Sequence, residues 1–124
     1  MPTLLLFNIS QEKRARLQVL ALRCGCRLQP VAPDLFGATL EQLLSGTAAE
    51  TAVEEPFGEE MLVMAGLNER QMDALLAGLR RQKVRIPLKA VVTPTNMGWT
   101  AQALYRELCR EREAFAAGRQ AHEK

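Results

Sequence analysis

A chain of 124 residues, 48% apolar and 24% charged, has the size and make-up of one globular domain able to bury a core of its own. No apolar run approaches the ~20 residues of a membrane-spanning helix. A net charge of only +2 argues against a nucleic-acid protein held by overall basicity, so neither a membrane nor a nucleic-acid partner is expected. The opening MPTLLLFNIS lacks the basic start and the long apolar run of a signal peptide, which points to a cytoplasmic location.

The charge is unevenly spread. Residues 1–30 carry five basic and one acidic side chain, and residues 31–60 carry none against seven. Residues 61–99 return to six against two. Such a pattern predicts an acidic segment that folds back on basic flanks or meets a basic partner.

In chain order, TLLLFN (3–8) reads as a first strand, and Ser10 follows as a helix N-cap. Leu17, Leu20, Ala21 and Cys24 then recur at helical spacing, with Val19 and Leu22 widening the stripe into a well-covered helix. Gly25 ends it in a left-handed cap, and CRLQPV (26–31) alternates like a strand with one wet face. After the turn PDLFG, Thr39 and Gln42 form a capping box on a short helix whose apolar side is Leu40, Leu43 and Leu44, closed by Gly46. The acidic, aperiodic GTAAETAVEEPFGEE (46–60) is expected as a long surface loop, a length that usually means function or disorder.

MLVMAG (61–66) is a strand apolar on both faces. Asn68 and Gln71 form a second capping box, stapled by Leu67 and Met72, ahead of the stripe Met72, Leu75, Leu76 and Leu79. Arg80, Arg81 and Lys83 crowd the end of this helix, where they complement its dipole without any ligand. LKAVVT (88–93) is the fourth strand. The last helix starts near Thr100 and is expected to bury Ala101, Leu104, Tyr105, Leu108, Cys109 and Phe115. One α/β domain over 1–117 with a disordered tail at 118–124 is the resulting organisation.

A weak internal repeat is also present. LLLFNISQEKRARLQVLA and LVMAGLNERQMDALLAGL superimpose at an offset of 58, matching Leu6 to Met64, Ile9 to Leu67, Ser10 to Asn68 and Leu17 to Leu75. Duplication and the same physics answered twice both fit.

Alternating strands and helices predict an α/β domain with a four-stranded, mainly parallel sheet in order 2-1-3-4 and flanking helices. A ferredoxin-like α+β sheet, with 32–60 as a long link, is the alternative. The parallel arrangement would collect its strand ends along one edge, where open sheets bind ligands. That edge would hold Asn8, Ser10, Asp34, Asn68, Thr93, Thr95, Asn96 and Trp99 as candidate ligand-binding residues. The turn 93–100 is the densest part. Its helix start suits an anion, although GxxxxGK[ST] and GxGxxG are absent and every specialised residue there also has a structural use. Pro94 extends Thr93, Asn96 and Gly98 tolerate a sharp turn, and Thr100 and Trp99 cap and staple the helix.

The segment LKAVVTPTNMGWTAQALYREL resembles the signature of an uncharacterised bacterial family classed as a domain of unknown function, written LKAVxTPxNxxW. Lys89, Thr93, Pro94, Asn96 and Trp99 match that pattern, and the resemblance reaches upstream to MLVMAGLNERQMDALLAGLR and, more loosely, to LLLFNISQEK and TLEQLLSG. It implies a kind of protein and carries over no catalytic residue.

No catalytic residue, metal site or cofactor is indicated. Cys24-Gly25-Cys26 is better read as packed thiols flanking a cap than as a metal pair, and the single histidine, His122, lies in the tail. Asp34 is the one acid at a strand end, a thin basis for a small enzyme of unidentified reaction. The central strands offer only Phe7 for base stacking, against an RNA platform. A small ligand-binding or regulatory module is the first expectation. An interaction module that engages an unknown protein partner through the acidic loop 46–60, with Phe57 at its centre, is the second.

Overall fold

The computed structural model describes residues 1–51 and 53–122, with side chains as far as Gly118. Strands β1 (Thr3–Phe7) and β3 (Met61–Ala65) are buried along their whole length and lie at the centre of one sheet. β2 (Arg27–Val31) and β4 (Leu88–Val91) are partly exposed and form its edges, giving the order β2-β1-β3-β4. Helices α1 (Gln11–Cys24) and α3 (Glu69–Arg81) cover one face through Leu17, Leu20, Ala21, Leu75 and Leu79. A short 3-10 turn (Pro33–Leu35), α2 (Leu40–Ser45) and α4 (Ala101–His122) cover the other, packing Phe36, Leu40, Leu43, Ala101 and Leu104 on Leu5, Phe7, Met61 and Val63. Of the expected tail at 118–124, residues 123 and 124 lie outside the described residues.

The sheet is mixed, not mainly parallel. β1 pairs parallel with β2 and β3 parallel with β4, but β1 and β3 run antiparallel, with Leu5 opposite Val63. The antiparallel junction belongs to the ferredoxin-like alternative, whereas the two βαβ units are not split: each joins neighbouring strands. The reason lies in the connection 32–60. Among its described residues the only α-helix, α2, has six residues, about 9 Å of rise, too short to return the chain along a strand. The chain instead reaches β3 beside the far end of β1, where the Asn8 amide donates to the carbonyls of Phe57 (2.8 Å) and Glu59 (3.1 Å).

Two burial expectations are corrected. Val19 and Leu22 are 48% and 72% exposed, because α1 meets α3 only through the narrower Leu17–Leu20–Ala21 stripe. Phe115 is 65% exposed: 22 residues of α4 span about 33 Å, longer than the sheet beneath, and burial ends near Leu104. The predicted caps are present, with both capping boxes closed at Thr39/Gln42 and Asn68/Gln71.

The repeat extends far beyond its sequence trace. At offset 58, left-handed Asn8 (φ 59°) matches Gly66 (φ 74°), and Gly25 (φ 69°) matches Lys83 (φ 55°). The bond from Cys26 N–H to Ala21 O (2.8 Å) recurs from Val84 to Leu79 (2.9 Å). Beyond Arg85, Ile86 and Pro87 the offset becomes 61. The pair Thr3–Arg27 then corresponds to Met61–Leu88, and the two caps Thr39 and Thr100 face each other in an isolated bridge. Around that bridge the hydrogen bonds are reciprocal. Leu40 N–H donates to Trp99 O and Ala101 N–H to Ala38 O, while Glu41 donates to Met97 and Gln102 to Phe36. The chain is thus two copies of one β-α-β-turn-helix unit about an approximate twofold axis, and Arg85-Ile86-Pro87 is an excess of three residues in the second.

Candidate functional site

Because β1 and β3 are antiparallel, the expected ligand edge is divided. Asn8, Ser10 and Asp34 follow the ends of β1 and β2, whereas Asn68, Thr93, Thr95 and Asn96 follow β3 and β4 at the opposite edge. Asn8 is half-buried and spends its amide on Phe57 and Glu59. Ser10 caps α1 by accepting from Lys13 N–H, and its own N–H donates to Glu60 (3.2 Å). Asp34 is exposed in the 3-10 turn and its carbonyl accepts from Thr51 N–H (2.9 Å). Asn68 is consumed as the cap of α3.

The turn 93–100 is closed on itself. Thr93 N–H donates to Asn96 Oδ1 (2.8 Å), Asn96 N–H to Thr93 Oγ1 (3.2 Å), and Asn96 Nδ2 to the carbonyl of Val91 (3.0 Å). Asn96 is buried, Thr95 is exposed, and Trp99 packs half-buried on the α2/α4 core while its carbonyl holds Leu40 N–H. These groups hold a corner together.

The acidic segment is not wholly a surface loop. Phe57 is 6% exposed and lies between Phe36 (centroids 4.5 Å) and Tyr105 (4.3 Å), both stacked. Buried Gln102 accepts from Phe57 N–H (3.3 Å) and donates to Glu55 O (2.8 Å). Glu59 accepts two bonds from Arg112 (2.9 and 3.0 Å) and one from Tyr105 (3.0 Å). The Arg112 guanidinium holds the Glu59 carboxyl below its usual range, against the opposing effect of burial, and Glu59 in turn raises Arg112. The Tyr105 phenol is pushed up to about 12, first by Cys109, then by burial and by Glu59. Gln102 could have been suspected only from the need of a buried amide for partners, and those partners lie about 45 residues away.

A stronger constellation was missed. Between α1, the C-terminal half of α3 and the segment 83–87 lies a groove of about 990 Å³. Leu76, Leu79, Val84, Ile86 and Pro87 line its floor, and Lys13, Arg80, Lys83, Arg85 and Lys89 its rim. Lys13 is satisfied by Glu60 and by the carbonyl of Arg85, and Lys89 donates to the carbonyl of Ile86 (3.1 Å). Among the described residues, Arg80, Lys83 and Arg85 meet no carboxylate within 4.0 Å. Lys83 also adopts the left-handed backbone that its counterpart Gly25 adopts without steric cost. The helix dipole accounts for Arg80 and Lys83 in sequence, but not for Lys13 and Lys89, which come from a different helix and from a strand. The traceable signal was the excess of Arg85-Ile86-Pro87. It becomes visible once VAPDLFGAT (31–39) is laid on VTPTNMGWT (92–100).

The cysteines are free thiols. Cys26 is raised by burial and by neighbouring Cys24. Among the described residues no group of three His, Cys, Asp or Glu could hold a metal ion, and no helix is long and apolar enough to cross a membrane.

Residues 60–115 match the family model of a domain of unknown function (DUF3783). The match takes in β3, α3, β4, the turn 93–100 and the first part of α4, which is the second copy of the unit. It includes every groove residue except Lys13. No curated protein and no solved structure matches the chain.

Proposed function

We propose that the protein is a small binding or regulatory module that takes an anionic ligand in the groove between α1, α3 and residues 83–87. The observation that carries this reading is the convergence of five basic side chains on one concave surface, four of them (Arg80, Lys83, Arg85 and Lys89) without a carboxylate partner among the described residues. A cleft lined by one sign of charge focuses its field and raises the local concentration of counter-charged ligand. A backbone held in a sparsely populated conformation at Lys83 is the kind of strain that accumulates at binding sites. The turn 93–100 supports binding less well, since Thr93 and Asn96 are committed to each other. On this reading the LKAVxTPxNxxW signature marks a corner that carries the fold. The docking role for the acidic loop is likewise less well supported, because Phe57 belongs to the core.

Thermal melting of the protein with pyrophosphate at low ionic strength tests the proposal. Pyrophosphate at 100 times its dissociation constant should add ~2.7 kcal/mol of stability. Charge reversal by Arg80→Glu with Lys83→Glu should remove that gain while Trp99 emission, at the distant turn, stays unchanged. An equal gain in the reversed variant, or none in the natural chain, would overturn it.

A further inference from the structure

Resting on that reading of the groove, we infer that its ligand is a phosphate-headed amphiphile, an anion carrying an aliphatic body. The rim supplies two guanidiniums and an ammonium without carboxylate partners, Arg80, Arg85 and Lys83, a set suited to a doubly charged, multi-oxygen head. The floor is aliphatic: Leu76 is half-buried and Pro87 exposed, above buried Leu79, Val84 and Ile86. The long stems of the rim side chains add further apolar wall. No aromatic ring lines the groove, so a nucleobase would find no stacking partner there. A volume of about 990 Å³ is that of a site for an organic molecule, and a bare inorganic anion would leave most of it unfilled.

The comparison between the copies supports the same conclusion. Arg85, Ile86 and Pro87, the three residues that the second unit has in excess, supply one cation to the rim and two apolar residues to the floor. Lys83 stands where the first unit has glycine, and Arg80 where it has Leu22. The second unit thus carries its extra charge and its extra apolar residues at the same place, as an amphiphile requires.

Calorimetric titration with methyl phosphate and with hexyl phosphate, below the onset of micelles, tests the inference. Each buried methylene is worth about fourfold in affinity, so burial of two or more should make hexyl phosphate at least tenfold tighter. Leu76→Gln, at a half-buried position in the floor, should abolish that advantage, bringing the ratio of the two affinities down towards one. Lys83→Glu should weaken both ligands. Equal affinities for the two esters would overturn the amphiphile while leaving an anion site in the groove. Absence of binding by either would overturn both. Co-sedimentation with phosphatidylcholine vesicles containing phosphatidic acid, and not with phosphatidylcholine alone, would identify a lipid head group as the source. Binding of hexyl phosphate without co-sedimentation would identify a soluble ester.

Discussion

At one end of the α1–α3 pair, the Gln71 amide reaches from the start of α3 to the carbonyl of Cys24 (2.9 Å), and the chain turns at Gly25 into β2. At the other end its counterpart Lys13 reaches from α1 to the carbonyl of Arg85, and the chain passes Lys83 and three extra residues before β4. Both ends solve the same problem, bridging a helix start to the loop that leaves its neighbour. The first solves it with a neutral amide and a glycine. The second uses a lysine for each and opens a cationic groove. At the lysine end Ile86 joins the core and Lys13 ties α1 to Arg85, but the exposed Arg80, Lys83 and Arg85 side chains meet no carboxylate among the described residues.

The largest expected effect tests the twofold relation itself. Leu20 and Gly78 occupy equivalent positions and meet across the axis, where a Cβ on Gly78 would lie 2.6 Å from Leu20 Cδ2. Leu20→Ala should cost ~2–5 kcal/mol by leaving a cavity. Gly78→Leu should cost ~1–3 kcal/mol by overpacking. Urea midpoints of the double variant should show less than the sum of the two losses, because the new leucine fills the space of the old. Additive losses would break the comparison.

A smaller pair of changes, opposite in sign, sharpens it. Lys83→Gly relieves a left-handed lysine and should stabilise by about 1 kcal/mol, whereas Gly25→Lys should destabilise by ~1–2 kcal/mol. A loss of stability in Lys83→Gly would make that side chain structural and take away its claim on the groove.

The smallest effect concerns pH. Tyr105 corresponds to Leu44, so the first copy lacks the phenol with which Tyr105 joins Glu59 and Arg112. The Glu59 carboxyl is depressed in the fold, so its contribution is present above its ordinary value of 4.5 and disappears as pH falls through the folded value. Both Glu59 and Arg112 are more than a third exposed, so salt screens the pair and the loss is slight. Glu59→Gln should flatten the acid limb of the pH–stability curve. Tyr105, raised to about 12, contributes below its ordinary value of 10 and ceases to do so as pH rises through about 12. Absorbance titration of this single tyrosine should show late ionisation, and Glu59→Gln should bring it earlier.

Much of the architecture was legible in residue types at fixed short spacings. Ser10, Thr39 and Asn68 cap helices because a side-chain oxygen meets an N–H three residues on, and Gly25 and Gly46 end helices in left-handed conformations that glycine adopts freely. The strand order 2-1-3-4 followed from β1 and β3 being apolar on both faces. The direction of β3 did not follow, since apolarity is blind to strand polarity. The candidate edge depends on that direction: Asn8 and Asn68 share one rim in a parallel sheet and stand at opposite ones here.

The sequence by itself determined the elements, their caps and the order of the strands, because those depend on neighbours three or four residues apart and on how apolar each strand is. Only the tertiary structure decided that β1 and β3 oppose each other, that Phe57 completes the core, and that Lys13 meets Arg85 and Lys89 over an apolar floor. Each of those rests on contacts between residues about 20 to 75 positions apart, where burial, hydrogen-bond satisfaction and charge are settled together.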